Sequence, residues 1–514
     1  MERRTFLKIL SSAGIVSLVS PTFAMEVCKN KVSKSSSALL ESAFRNPPFS
    51  SGVYTWWHWM NGNITKDGIT RDLEAMKANG IAGYQLFEAG SGIPIGPVES
   101  LSDEWVDLIL HTLKESERLG LEFAMHNCPG WSSSGGPWIT PDKAMQIITW
   151  SETKITGGKQ VRIQLPTPKH MFDYYIDTYC LAIPANMKVI PRLSILELSN
   201  RLDKDGVLTW DVPTGEWLIM RFGQTAKDQK NKSAPSKSTG LDCDKFSTEA
   251  LDYHLNCMFK RLMPAMEKIA KHSKIGLLID SYETGDQDWT SDMPAYFEQS
   301  HGYELYPFLP VLANKIVESE ESTKRFLFDF RRVRADMFAE RYYGHFQKRC
   351  KEKGIITYTE PYGGNMMEEL QVAQQLDINM GEFWCGQTVL WANYKYNRTV
   401  KQVASIAHTL GGKVVGAEAF TSEPDADKWL QYPYALKSLG DYMFTRGLSR
   451  IYFHRFAHQP HPTAAPGMTM GAWGLHFDRT NTWWKPGKAW IEYLNRCQYI
   501  FQSSTFYGDI LYHN

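Results

Sequence analysis

Short apolar runs that end in polar side chains recur along this chain, and most are followed by a stretch with helical spacing. Runs at 52–59, 81–88 and 121–127 are separated by two such stretches. The first has Thr65 as its cap, Asp67 in its first turn, and a stop at Asn79-Gly80; the second spans 102–120. The alternation resumes with a helical pattern over 248–271 and strand-like runs at 276–283, 355–360, 377–384, 413–420 and 449–455. Helical patterns over 323–353, 399–410, 434–445 and 488–502 accompany them. Strand, helix, strand at this spacing predicts parallel strands joined by crossover helices. Eight such units predict an α/β fold, a (β/α)8 barrel, with a doubly wound sheet as the alternative.

The rhythm breaks once. Residues 145–240 alternate apolar and polar positions between Gly, Pro and Asn turns, in runs at 161–165, 179–183, 208–212 and 216–222. This predicts an inserted β-sandwich-like module after strand 3, with 228–239 as a Lys/Ser-rich loop. The expected organisation is therefore an export signal at 1–24, a Ser/Lys-rich linker at 25–43, the first part of the barrel at 44–144, the insert at 145–240 and the rest of the barrel at 241–514. The N-terminal signal reads from Arg3-Arg4 in a twin-arginine-like context, the apolar run 9–19 and a small-residue site ending at Ala24. Export to a bacterial periplasm is the expectation, with no membrane span.

The strand ends carry the chemistry. Runs 2, 4, 5, 6 and 7 finish on Glu88, Asp280 with Glu283, Glu360, Glu382 and Glu418. Runs 1, 3 and 8 finish on His58, His126 with Asn127, and His454. In a (β/α)8 barrel these ends surround one pocket. Converging carboxylates suit glycosidic hydrolysis, which needs one protonated and one ionised acid, or the binding of a hard cation. Trp56, Trp57, Trp59, Trp131, Trp138, Trp384 and Trp391, from a total of 17 Trp, offer faces for a sugar ring, and the Gly/Ser loop after strand 3 offers donors for its hydroxyls.

Composition narrows the alternatives. The 514 residues carry 56 basic and 56 acidic side chains, so charge gives no reason to expect nucleic acid or an anionic membrane. The eight Cys include no C-x-x-C pair, which argues against a zinc ribbon or thioredoxin-type site. No nucleophile elbow, dinucleotide fingerprint, P-loop or H-E-x-x-H occurs.

The motifs WWHWMNGN (56–63), HNCPGWSSSGGPW (126–138), DSYE (280–283), GEFW (381–384), GAEAF (416–420) and FHR (453–455) together resemble glycoside hydrolase family 106, the α-L-rhamnosidases, over residues 44–514. The resemblance implies a (β/α)8 barrel that removes terminal α-L-rhamnose from plant-type or pectic glycans, with inversion and with calcium. It makes Glu283 the general acid and Glu418 the general base, with Asp280 and Glu382 as essential neighbours. Trp57, His58, His126, Asn127, Trp131, Glu360, Trp384 and His454 become the expected substrate contacts, while no calcium ligand is assigned. The chain is expected to lack the C-terminal β-domains usual in the family. Tyr282 stands before Glu283, where retaining barrel glycosidases have Asn, and this favours inversion. A retaining glycosidase of another specificity and a non-catalytic sugar-binding remnant are the competing readings.

Overall fold

The computed structural model describes residues 34–90, 92–270, 274–385, 389–422, 424, 428–471 and 473–510, and the side chains of all of these except 34–38 and 389–397. The expected signal at 1–24 and the first part of the expected linker lie outside the described residues. Two compact units are present, 1–48 and 49–514. In the first, Lys34–Arg45 is helical rather than a linker, and Arg45 pairs with Glu41 one turn back at 2.8 Å. Its polar composition masked a segment with Ala, Leu and Phe at helical spacing.

The second unit is built on a closed eight-stranded parallel barrel. Its strands are β1 (Tyr54–Met60), β2 (Gly83–Ala89), β3 (Glu122–His126), β4 (Ile275–Ile279), β5 (Ile356–Thr359), β6 (Ile378–Cys385), β7 (Gly416–Ser422) and β8 (Arg450–Ala457). Each pairs with its sequence neighbours, and β1 closes on β8. All eight apolar runs became strands because each is buried on both faces. The inner face packs Tyr54, Trp56, Phe87, Ala124, Leu278, Tyr358, Met380 and Tyr452 against one another. The outer face packs Trp57, Trp59, Tyr84 and Leu86 against the helices. Each large apolar side chain so buried contributes about 1.5–3 kcal/mol.

Local signals set the helix ends. Helix α1 (Lys66–Ala78) is capped by Thr65, whose hydroxyl accepts from Gly68 N–H at 3.1 Å, worth about 1 kcal/mol. Helix α2 (Asp103–Leu119) starts on Ser102 and ends on Gly120, whose φ of 65° suits a residue without Cβ. The pattern over 248–271 is instead two helices, Thr248–Phe259 and Met263–Ile269, because Pro264 has no N–H to continue the ladder. The pattern over 323–353 begins earlier, at Glu320, and widens into a π-helical turn at Phe338–Gly344. Tyr342 and Tyr343, adjacent in sequence, are both fully buried there, and the wider turn changes the helical phase so that both can face inward.

Between β3 and β4 lies a four-stranded antiparallel sheet of Gln146–Thr156, Glu216–Ala226, Ile176–Pro184 and Leu196–Glu197. A two-stranded ribbon, Lys159–Gln164 with Val207–Val212, accompanies it. Leu165, Cys180, Ala182, Leu208, Trp210, Val212 and Ile219 form their shared core. Among the described residues no helix is long and apolar enough to cross a membrane, and Cys128, Cys180, Cys243, Cys257, Cys350 and Cys497 are free thiols.

Candidate active site

A cavity of about 470 Å3 opens at the C-terminal ends of the barrel strands, lined among others by Trp56, His58, Trp131, Asp280, Glu283, Glu382, Trp384, Glu418 and His454. Strand parity decides who reaches it. On β1, Trp56 and His58 face inward while Trp57 and Trp59 face the helices. Trp57 is therefore not a substrate contact. It is fully buried, and its indole N–H reaches Asp72 Oδ2 at 3.3 Å. On β2, Phe87 faces inward, so Glu88 turns away from the cavity and accepts from Ser100 at 2.8 Å.

The acids occupy the β4–β7 side. β6 and β7 pair in register with Glu382 opposite Glu418, which puts two carboxylates on neighbouring strands about 4.8 Å apart at the backbone. The register then slips by one residue, with Phe420 at φ 61°, and Trp384 pairs with Thr421. That irregularity turns the Thr421 hydroxyl onto Glu418 Oε1. The Trp384 indole N–H donates to Glu382 Oε2 at 2.9 Å. Asp280 follows directly on β4 and is buried close to Glu360. Glu360 is itself buried beneath the cavity, where it accepts from the Tyr362 hydroxyl at 2.5 Å. It supports the site from below and does not line it.

Burial raises these acids. Glu418 is pushed well above the ordinary carboxylate range by desolvation, then by Glu382 and Asp280, with the Thr421 hydrogen bond opposing. Glu360 is raised by burial, then by Asp280, Glu418 and Glu382. Asp280 is raised by burial first, while its closeness to Glu360 opposes. Crowded carboxylates hold protons because like charges resist ionisation together.

The β1–β3 and β8 side is different. His58 stacks on Phe87 at 5.0 Å and Phe87 stacks on His126 at 5.3 Å. Desolvation lowers all three imidazoles, His58, His126 and His454, and His126 falls to about 4. His454 Nδ1 stands 3.6 Å from Glu418 Oε1, too far for a hydrogen bond. His126 lies below the cavity, with its Nδ1 2.8 Å from Cys128 O. Asn127 is fully buried, donates to Ser133 O and Leu278 O, and accepts from the Ser134 hydroxyl at 2.5 Å. His126 and Asn127 thus hold the loop after β3 and do not meet a substrate in this arrangement. Ser132, Ser133 and Ser134 are also fully buried. Their hydroxyls serve the protein interior rather than sugar hydroxyls, Ser133 donating to Asp242 at 3.0 Å.

Four lining residues had no signal in a strand pattern: Lys232, Thr421, Met470 and Trp473. Lys232 Nζ meets Glu283 Oε2 at 2.5 Å. Trp473 packs edge-on against Trp384 at 5.9 Å. Both come from loops, where only the Lys/Ser-rich character of 228–239 was visible. Trp391 lies outside the described side chains. A hard cation takes six to eight oxygen ligands, and the acids supply that donor type. Among the described residues, however, no three Asp, Glu, His or Cys side chains form a ready metal cage.

Comparison with known proteins agrees with this geometry. A family model for glycoside hydrolase 106, alpha-L-rhamnosidase, matches residues 45–172 and 169–514. A protein of Formosa agariphila (strain DSM 15362 / KCTC 12365 / LMG 23005 / KMM 3901 / M-2Alg 35-1) named "Putative beta-glucuronidase" is 40% identical over 503 residues, covering 92% of this chain and 42% of its own length. The solved rhamnosidase of Novosphingobium sp. PP1Y superposes with a TM-score of 0.83 at 24% identity, over 90% of this chain and 60% of that one. The chain thus spans less than two thirds of either relative, and the second likeness speaks for the fold. The (β/α)8 barrel, the strand-end acids and the match along nearly the whole barrel lead to one assignment: the chain belongs to glycoside hydrolase family 106, the α-L-rhamnosidase family.

Proposed function

We propose that the chain is an exported glycoside hydrolase that removes terminal α-L-rhamnose from pectic or other plant-type glycans, with inversion. The observation that carries this reading is the cavity in which Glu382 and Glu418, register partners on β6 and β7, share a wall with Asp280 and Glu283 from the end of β4. Inverting hydrolysis uses one carboxyl group to protonate the leaving oxygen and another to activate water. Glu283, at the more open edge, takes the first role. Glu418, deeper and hydrogen-bonded by Thr421, takes the second. Asp280 and Glu382 set the proton affinity of Glu418, and Trp56, Trp131 and Trp384 wall the sugar. Because burial, and then its acidic neighbours, favour protonated Glu418, the base form is reached above the ordinary carboxylate range. Calcium dependence belongs to the same proposal as what the family resemblance implies, the strand-end carboxylates being the oxygen donors such an ion would use, but no step above requires the ion.

The test is hydrolysis of 4-nitrophenyl α-L-rhamnoside by the full chain, followed by NMR of the first-formed rhamnose. The β anomer should appear first. An α anomer appearing first would move the enzyme to a retaining mechanism, and rhamnose binding without turnover would mark a sugar-binding protein. EDTA followed by added calcium tests the ion, and cell fractionation tests export.

A second reading draws on the name of the Formosa relative and on Lys232, a cation in the cavity wall. A β-glucuronide would place its carboxylate against that ammonium. Turnover of 4-nitrophenyl β-D-glucuronide without turnover of the rhamnoside would favour it.

A further inference from the structure

Lys232 does not come from the barrel. It lies on the stretch that returns from the inserted sheet towards β4, beyond the strand Glu216–Ala226. Its backbone is fixed against the loop after β3. The Lys232 N–H donates to Ser132 Oγ at 2.8 Å, and its carbonyl accepts from Trp131 N–H at 3.2 Å. A Cβ at Gly130 would fall 2.1 Å from that same carbonyl, and Gly130 has φ 85°. Only glycine fits so close an approach. The neighbouring turn is tied in as well, since Asn231 donates to Pro129 O at 3.0 Å and Gly90 N–H donates to Ser233 O at 2.7 Å.

The side chain is held differently from the backbone. It is 54% exposed, and its ammonium ends on Glu283 Oε2. Lys232 is the one lysine or arginine among the described residues lining the cavity. Glu283 has a further contact at the limit of hydrogen bonding, the Ser281 hydroxyl at 3.4 Å. A solvent-exposed ion pair of this kind adds little stability, so the fixed backbone beneath it calls for another explanation.

In the proposed reaction Glu283 must turn its carboxyl group to the glycosidic oxygen. Whatever lies beyond that oxygen belongs to the leaving group. An ammonium touching Glu283 therefore stands on the leaving-group side, and it gives up its partner when the substrate arrives. A neutral leaving group offers no replacement charge. An anionic one does.

We propose that Lys232 is a specificity-determining residue that binds an anionic group, a carboxylate or a sulfate, on the sugar to which rhamnose is attached. This rests on the rhamnosidase reading above. Rhamnose linked to a uronic acid or to a sulfated hexose is the substrate class that results. Exchanging the Glu283 contact for a charged hydrogen bond to the substrate corresponds to a preference of about tenfold to a hundredfold over the neutral analogue.

The experiment compares three disaccharides on the full chain: rhamnosyl-α-1,4-glucuronate, its methyl ester, and a rhamnosyl-glucose carrying a 6-sulfate. Both kcat/KM and the dissociation constant from calorimetry are measured. Wild type should favour the acid or the sulfate over the ester by at least about tenfold, and the better of the two identifies the anion. Lys232→Gln should bring the ratio near one, whatever happens to overall turnover, and Lys232→Arg should keep it. Equal ratios in wild type and Lys232→Gln, or no binding of any of the three, overturn the proposal. If the anionic ligand binds in a Lys232-dependent way but no rhamnoside is cleaved, the binding site stands and the rhamnosidase reading falls. Cleavage with no preference for the anion has the opposite meaning.

Discussion

The two halves of the cavity, its wall and the layer directly beneath it, meet the same physical force and answer it in opposite ways. From β4 to β7 the wall is carboxylic, and burial drives Asp280, Glu360 and Glu418 upward towards their protonated forms. From β8 round to β3 it is imidazole and aromatic, and burial drives His58, His126 and His454 downward towards theirs without a proton. Both halves thus tend to neutrality in a low-dielectric interior. The Lys232–Glu283 contact lies outside that interior, where water reaches it. In the proposed reaction the comparison separates a half that exchanges protons from a half that gives the cavity its shape.

The largest expected effect tests that separation directly. Glu418→Gln should lower kcat/KM on 4-nitrophenyl α-L-rhamnoside by about 10²–10⁴-fold, the range lost with a general base. His58→Asn, in the other half, should lower it about tenfold, as expected for lost packing and one hydrogen bond. Equal losses would erase the distinction. Glu283→Gln comes next and depends on the leaving group. It should cost about 10²-fold or more on a disaccharide, whose leaving alkoxide needs a proton. It should cost far less on the 4-nitrophenyl substrate, whose phenolate leaves readily. A third effect concerns pH. The acid limb of kcat/KM should lie above the ordinary carboxylate range in wild type, because Glu418 is raised. It should move to lower pH in Glu382→Gln, because that substitution removes the largest charge that raises it. An unmoved limb would mean that another group titrates.

Much of this was legible in the chain. All eight strands were, because each run is apolar on both faces and breaks at a polar end. The acids on β4, β6 and β7 were legible for the same reason, since a buried strand has no use for a carboxylate at its end unless something pairs with it. The facing of side chains on β1 was not. Trp56, Trp57, His58 and Trp59 are all aromatic, so the period of two that separates inner from outer positions has no contrast there. Glu88 was read as part of the ring for lack of the same parity information. Lys232 and Trp473 were beyond reach, because loops carry no period and their approach to the strand ends is fixed by contacts far away in sequence.

The smallest expected effect sharpens the comparison through stability. Glu88 is buried and raised from 4.5 to about 7. Between those values the folded state keeps a proton that the unfolded chain has released, so stability falls as pH rises through that window. His126, lowered from 6.5 to about 4, acts in the other direction, and its contribution is lost as pH falls below 6.5. Glu88→Gln should remove a slope of up to about 1.4 kcal/mol per pH unit, read from urea unfolding at pH 5 and pH 7. An unchanged slope would place the buried proton elsewhere.

The inserted sheet has a consequence for how such an enzyme diversifies. The acids stand on barrel strands whose positions are fixed by their neighbours on both sides, whereas Lys232 is delivered by a segment that leaves the barrel after β3 and rejoins it before β4. The chemistry and the leaving-group preference proposed above therefore lie on different stretches of chain. Exchanging residues 227–240 is expected to change the leaving-group preference proposed for Lys232 while the acids at the strand ends stay in place.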